Sequence, residues 1–244
     1  MNQQSHSPSH IKVTVIVPVL NARKTIRDTI ESIRRFKTNQ IEVIILDGGS
    51  TDGTQDTLSA SMDVIDILRS EPDRGLYDAM NKGVLLAHGI WCIFLGADDI
   101  LLDGFTVAVD ALSSTTSNYY ANVKLASNGT IYNRRYTYLK LLTSNLPHQA
   151  VFYLVEVLKS NPFDLRYKYL ADYAINLLLY ARTTFYYIDC VVTLYNDETG
   201  MSSTLRDQAF ARDKGMLVSR SGWRFASLYS AARKVRLFLS GSQA

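Results

Sequence analysis

Along the first hundred residues of this 244-residue chain, short apolar runs alternate with segments whose apolar positions recur every three or four residues. Residues 13–19 are an unbroken β-branched run that reads as a buried strand. Ile26, Ile30 and Ile33 then fall on one face of a helix. Residues 41–46 form a second strand, 64–68 a third and 91–95 a fourth, with a helix over 77–87 before the last. Within that helix Tyr77, Met80 and Val84 face the core, while Asp78, Asn81 and Lys82 are either polar lining or surface. Strands alternating with helices predict an α/β architecture with a mostly parallel sheet.

Beyond residue 99 the rhythm changes. A helix is expected over 102–112, and a hairpin over 119–125 and 130–132 turns about Asn128-Gly129. A short strand over 150–153 follows Pro147-His148-Gln149, then a helix over 171–181, a strand over 185–194 and a helix over 205–219. Neither a repeat nor a low-complexity linker interrupts the chain, so the second half is expected to pack onto the first sheet.

The polar residues gather where the strands end. Pro18-Val19-Leu20-Asn21 closes the first strand, Asp47-Gly48-Gly49-Ser50 the second and Ala97-Asp98-Asp99 the fourth. In open α/β sheets the crevice outside the strands' carboxyl ends is where ligands bind. Two adjacent acids there repel each other and are costly to desolvate without a cation, and hard oxygen donors suit Mg2+ or Mn2+. The other reading of Asp98 is a cap for a helix beginning near Ile100. The first strand is followed neither by a Gly-x-Gly-x-x-Gly turn nor by a Gly-Lys-Ser/Thr loop, which argues against dinucleotide oxidoreductases and P-loop phosphotransferases. A nucleotide on the sheet edge, its diphosphate held by a metal at Asp98-Asp99, is the remaining reading.

Composition adds limits. A net charge of +3 does not suggest nucleic acid, but residues 204–236 hold eight Lys or Arg against two Asp. Phe225, Leu228, Tyr229, Ala232, Val235 and Leu239 share a helical face flanked by Arg224, Arg233, Lys234 and Arg236. Such a helix either lies in an anionic membrane interface or packs on the core. Cys92 and Cys190 both sit in apolar strand-like runs, as buried thiols of a reducing compartment. The polar first ten residues and the lack of ~20 consecutive apolar residues place the chain in the cytoplasm, with the basic tail a candidate for the inner face of the cell membrane.

Taken in order, several segments resemble the family 2 glycosyltransferases of GT-A fold. They are Val15-Ile16-Val17-Pro18-Val19-Leu20-Asn21, Asp47-Gly48-Gly49-Ser50-Thr51-Asp52-Gly53-Thr54 and Glu71-Pro72-Asp73-Arg74-Gly75-Leu76-Tyr77-Asp78-Ala79-Met80-Asn81-Lys82-Gly83. Gly96-Ala97-Asp98-Asp99, Pro147-His148-Gln149-Ala150-Val151-Phe152 and Ala171-Asp172-Tyr173 complete the set. The resemblance implies a Rossmann-like, mostly parallel sheet flanked by helices, with a smaller mixed sheet on the acceptor side. It implies a polar lead over residues 1–11, one domain over 12–203 with a nucleotide half (12–112) and an acceptor half (113–203), and basic amphipathic helices over 204–244.

It also implies an activity: inverting transfer of a sugar from a nucleotide-diphosphate donor to a glycan or lipid-linked acceptor, in cell-surface polysaccharide or lipopolysaccharide synthesis. By similarity Asp99 holds the metal with Asp98 assisting, and Asp172 is the base. Pro18, Asn21, Asp47, Asp73, Arg74, Asp98 and His148 line the donor site. The chain departs from the family at Ala97, where the Asp-x-Asp equivalent has lost its first acid. It departs again at Gly48, where many relatives carry a second acid associated with reading uracil. Residues 195–203 resemble a loop that closes over donor. The two departures leave a second reading, a nucleotide-sugar-binding scaffold with impaired catalysis. A nucleotidyltransferase is a third, for which Asn21-Ala22-Arg23-Lys24 is a poor phosphate loop.

Overall fold

The computed structural model describes residues 11–132, 135–198 and 206–220. The expected polar lead, the donor-closing loop from residue 199 and the amphipathic tail from residue 221 lie outside the described residues. Strand β1 (Val13–Val19) is buried at every position and pairs in parallel with β2 (Ile41–Asp47) on one side and β4 (Trp91–Phe94) on the other. Pro18 is tolerated in this central strand because its nitrogen faces the β4 side, beyond the last β1–β4 pair at Ile16 and Phe94. Strand β3 (Ile67–Ser70) extends the sheet past β2.

The third strand begins later than the apolar run 64–68 predicts. Val64 and Ile65 are buried, but their N–H groups bond the Ser61 carbonyl in a turn, so pairing starts at Ile67. After β4, Ile100–Leu101 forms a short strand, β5, paired with the strand over Thr184–Tyr195, and the expected helix is confined to α4 (Gly104–Ala111).

The second half continues the same sheet. Strand β8 (Val151–Leu154) pairs antiparallel with β4 and with β6 (Ser117–Leu125). Strand β9 (Thr184–Tyr195) lies parallel to β6, and β5 pairs with β9. The hairpin partner β7 (Ile131–Tyr132) flanks β6, with Gly129 at φ 72° in the turn. The order is therefore β3-β2-β1-β4-β8-β6-β9-β5, in which the parallel strands β3-β2-β1-β4 are continued through β8 by the smaller mixed acceptor-side set.

Alternation along the strands builds a core on each face. Val15, Val17, Val43, Ile45 and Phe152 pack with Ile26, Ile30 and Ile33 of α1 (Ile26–Arg34) and Phe105 of α4. Ile16, Ile44 and Tyr153 pack with Tyr77, Met80 and Val84 of α3 (Leu76–Leu86) and Leu177 of α7 (Ala171–Arg182). The other α-helices among the described residues are α2 (Thr54–Ser59), α5 (Tyr138–Leu141), α6 (Val155–Ser160) and α8 (Gln208–Arg220). Cys92 is fully buried, which pushes its thiol up, whereas Cys190 is only half-buried, its Sγ 3.3 Å from the Gly104 carbonyl. Among the described residues, no helix is long and apolar enough to cross a membrane.

Candidate active site

The ends of β1 and β2 are tied to each other by side chains. The exposed Asn21, at φ 51°, accepts from the Thr51 N–H at 2.9 Å, and its own N–H donates to Ser50 Oγ at 2.8 Å. Thr54 Oγ1 accepts from the Ala22 N–H at 2.8 Å. Pro18 is buried in β1.

Asp47, 2% exposed, is surrounded by donors. Its Oδ1 accepts from Ser50 Oγ (2.5 Å) and the Ser50 N–H (3.1 Å), and its Oδ2 from Ser70 Oγ (2.6 Å) and Gln55 Nε2 (3.0 Å). Burial opposes its charge, but these hydrogen bonds prevail and hold the carboxyl below its ordinary range. Asp47 is thus the organiser of the 47–55 turn, with its oxygens spent on the protein.

Asp73 lies on the loop after β3. Its Oδ1 accepts from the Gly75 N–H at 2.8 Å, and Gly75 adopts φ 109°, a conformation that favours glycine. Arg74 is turned away: 77% exposed, it pairs with the buried Asp78 at 2.9 Å. Lys82 bonds Glu71 at 2.9 Å, and Asn81 clasps Phe163, donating to its carbonyl and accepting from its N–H, both at 2.9 Å.

At the end of β4 the acid pair is held from the far edge of the sheet. Asp99, 1% exposed, accepts from the Gly96 N–H and from the Asn196 N–H, each at 2.9 Å. The Asn196 amide donates to Asp98 Oδ2 at 2.9 Å. Burial, reinforced by the charge of Asp98, pushes Asp99 up to about 6. Asp98 caps no helix, since α4 begins only at Gly104 with Asp103 before it. Asp98 is the more accessible acid of the pair.

Asp172, the second residue of α7, is 5% exposed and accepts from four groups. Oδ1 receives Tyr77 OH and the Tyr173 N–H, both at 2.8 Å, while Oδ2 receives Asn145 Nδ2 at 2.8 Å and faces His148 Nδ1 at 3.2 Å. Burial first, then the adjacent Asp172 charge, drives the Tyr77 hydroxyl far above its ordinary value, so it stays a donor. A second tier holds Asn145: its Oδ1 accepts from Asn176 Nδ2 at 2.9 Å, and Asn176 in turn accepts from Tyr153 OH at 2.8 Å. His148 rests edge-on to Phe94 of β4, the strand that leads to the acid pair.

Sequence reasoning placed Tyr77 in the core, took Asn196 only as part of the loop 195–203, and passed over Asn145 and Asn176. Asn196 carried a readable signal, because it is the polar residue directly following β9. Asn145 and Asn176 had none; only packing brings α5's loop against α7.

The family model for glycosyl transferase family 2 matches residues 14–163. Among curated proteins, the PGL/p-HBAD biosynthesis glycosyltransferase of Mycobacterium bovis is 33% identical over 210 residues, covering 82% of each chain. Among solved structures, S. aureus TarS (residues 1–349, in complex with UDP-GlcNAc) superposes at TM-score 0.70 with 18% identity, over 84% of this chain and 65% of that one. Against the longer TarS structure, the match covers 39% of that chain. The mannosyltransferase PcManGT from Pyrobaculum calidifontis, in complex with GDP-Man and Mn2+, gives a TM-score of 0.63 at 18% identity, over 95% of this chain and 79% of that one. The match of the family model over more than half the chain, together with the mycobacterial relative, shows that this chain belongs to glycosyl transferase family 2.

Proposed function

We propose that this glycosyltransferase moves a sugar, with inversion, from a nucleotide-diphosphate donor to a glycan or lipid-linked acceptor in cell-surface polysaccharide or lipopolysaccharide synthesis. The observation that carries the chemistry is Asp172, a buried carboxylate held in place by Tyr77 OH, the Tyr173 N–H and Asn145 Nδ2. The relative named for PGL/p-HBAD biosynthesis supports a glycolipid or glycan acceptor. The TarS and PcManGT complexes support a sugar-nucleotide donor.

The donor set at the end of β4 fits a divalent cation. Two carboxylates meet beside Gly96, and one of them is raised by burial and by the other's charge, a strain that a cation relieves. Asp98 and Asp99 would hold Mg2+ or Mn2+, with Asp98 the more accessible ligand, and the Mn2+ in the PcManGT complex is consistent with this. Bound there, the ion would neutralise the departing diphosphate. Asn21 and Asp73 would border the nucleoside side, Arg74 would act through its pair with Asp78, Pro18 and Asp47 by shaping the strand ends, and His148 would lie between diphosphate and acceptor.

In the reaction, an acceptor hydroxyl oxygen bonds to the anomeric carbon as the bond from that carbon to the diphosphate oxygen breaks. The electron pair leaves on the diphosphate and the hydroxyl proton passes to Asp172. The 3.2 Å contact with His148 is the longest of the four around Asp172, and it is the one the acceptor hydroxyl displaces. Tyr77, Tyr173 and Asn145 keep the carboxylate in place meanwhile. Asp172→Asn should lower turnover by about 10²–10⁴-fold while nucleoside diphosphate binding, read by calorimetry, stays within twofold. Unimpaired turnover in that variant would remove Asp172 from the role.

A further inference from the structure

Behind Asp172 the hydrogen bonds run one way. Tyr153, wholly buried in β8, donates its hydroxyl proton to Asn176 Oδ1 at 2.8 Å. Asn176, wholly buried in α7, donates from Nδ2 to Asn145 Oδ1 at 2.9 Å and to the Leu146 carbonyl at 3.1 Å. Asn145 donates in turn from Nδ2 to Asp172 Oδ2 at 2.8 Å, and Tyr136 OH holds its backbone carbonyl at 2.8 Å. Burial first, then the Asp172 charge, pushes the Tyr153 hydroxyl far above its ordinary value, so it keeps its proton. The Leu146 carbonyl is backbone and can only accept. It fixes which end of the Asn176 amide donates, and that end fixes the Asn145 amide. Turning either amide over would set carbonyl oxygens face to face and leave buried polar groups unpaired.

The relay ends on an oxygen with one direction left. A carboxylate oxygen accepts along about two directions. Oδ1 of Asp172 has both filled, by Tyr77 OH and the Tyr173 N–H. Oδ2 has Asn145 on one and His148, at the longer 3.2 Å, on the other. Resting on the reading of Asp172 as base above, we infer that Oδ2 is the atom that takes the acceptor proton and that Asn176 and Tyr153 are positioning residues, which through Asn145 aim its remaining lone pair. The proton moves from the acceptor oxygen to Oδ2. The electron pair of that O–H bond stays on the oxygen that bonds the anomeric carbon, and the pair of the broken bond leaves on the diphosphate. Neither Asn176 nor Tyr153 touches the reacting atoms. Both are buried, so the direction of the base is set from inside the fold rather than from the cleft.

The test follows release of sugar to water by the full chain from a panel of UDP-, dTDP-, GDP- and ADP-hexoses, using the donor that the wild type turns over fastest. Tyr153→Phe removes only the hydroxyl and keeps the ring in its packing. Its kcat should fall about three- to tenfold, the range of one hydrogen bond, with the donor KM within twofold. The ionised carboxylate of Asn176→Asp offers only acceptors to the Leu146 carbonyl and Asn145, and should lower kcat further at the same KM. If that variant does not fold, Tyr153→Phe carries the test alone. In an Asp172→Asn background, Tyr153→Phe should cost less than twofold, because the group through which it acts is gone. A cost that persists undiminished in that background, an unchanged kcat in Tyr153→Phe, or a rise in KM alone overturns the relay while leaving Asp172 as base. Unimpaired release by Asp172→Asn removes the base, and the relay with it. Release from none of the donors overturns the sugar-nucleotide reading itself.

Discussion

Asp47 and Asp172 are both nearly inaccessible and both ringed by donors, yet they differ in what the donors do. Those around Asp47 come from one turn and the adjacent strand, so the carboxylate fixes the local chain path. Those around Asp172 come from α3, the loop before β8 and α7 itself, so the carboxylate is where separate elements meet. Replacing Asp47 with Asn puts an amide donor against Ser70 and Gln55. Stability should fall by about 2–3 kcal/mol, the cost of unpaired buried donors, read from urea denaturation. The pH dependence has a definite sign. Because the folded carboxyl lies below its unfolded value, its stabilisation is complete above the ordinary carboxylate range and is lost as pH falls through the folded value. Wild-type stability should thus fall more steeply than that of Asp47→Asn below about pH 4. Parallel acid profiles would show that the fold leaves the Asp47 carboxyl at its unfolded value.

At the scale of elements, α3 links the nucleoside side of the cleft to the acceptor side, since it begins beside Asp73 and carries Tyr77 to Asp172. Its distance from the sheet is set at Gly83, where a methyl group would stand 2.5 Å from Ile16 Cγ2 and 3.1 Å from Leu46 Cδ2. Ile16 is wholly buried in the central strand and cannot give way. Gly83→Ala gains about 1 kcal/mol of helix propensity but overpacks this contact by about 1–3 kcal/mol. The expected outcome is a lower melting temperature and a turnover loss larger than the loss in donor affinity, because Tyr77 shifts with the helix. A gain in stability would mean that the α3–β1 spacing is slack. Elements such as α3 were legible in the sequence because apolar period follows directly from which face is buried. The late start of β3 was not, since Val64 and Ile65 are as apolar as strand residues and only the Ser61 turn sets them apart. The strand-end acids were legible for the same topological reason that makes strand ends a cleft. Asn145 and Asn176 were invisible because their partners lie on other elements, and no local pattern marks a residue whose work is done across the fold.

For the whole molecule, the consequence of a single sheet is that β4, near its middle, and β5, at its far edge, are separated by only five residues of chain, 95–99. The sheet must curl to bring β9 back against β5, and the loop carrying Asp98 and Asp99 sits where it closes. Asn196, just past the end of β9, fastens that closure by bonding both acids. The metal-ligand pair proposed here is therefore positioned by the last strand of the sheet, not only by the strand that precedes it. Side chains that orient metal ligands are commonly worth about 10–100-fold in metal affinity. Asn196→Ala keeps the backbone donor to Asp99 and removes only the amide on Asp98. It should then reduce the strengthening of nucleoside diphosphate binding by Mn2+ by about tenfold, while binding without metal changes by less than twofold. Calorimetry with and without Mn2+ separates the two effects. Equal weakening in both conditions would mean that Asn196 shapes the cleft without orienting Asp98, and that the curl of the sheet serves the fold rather than the metal site.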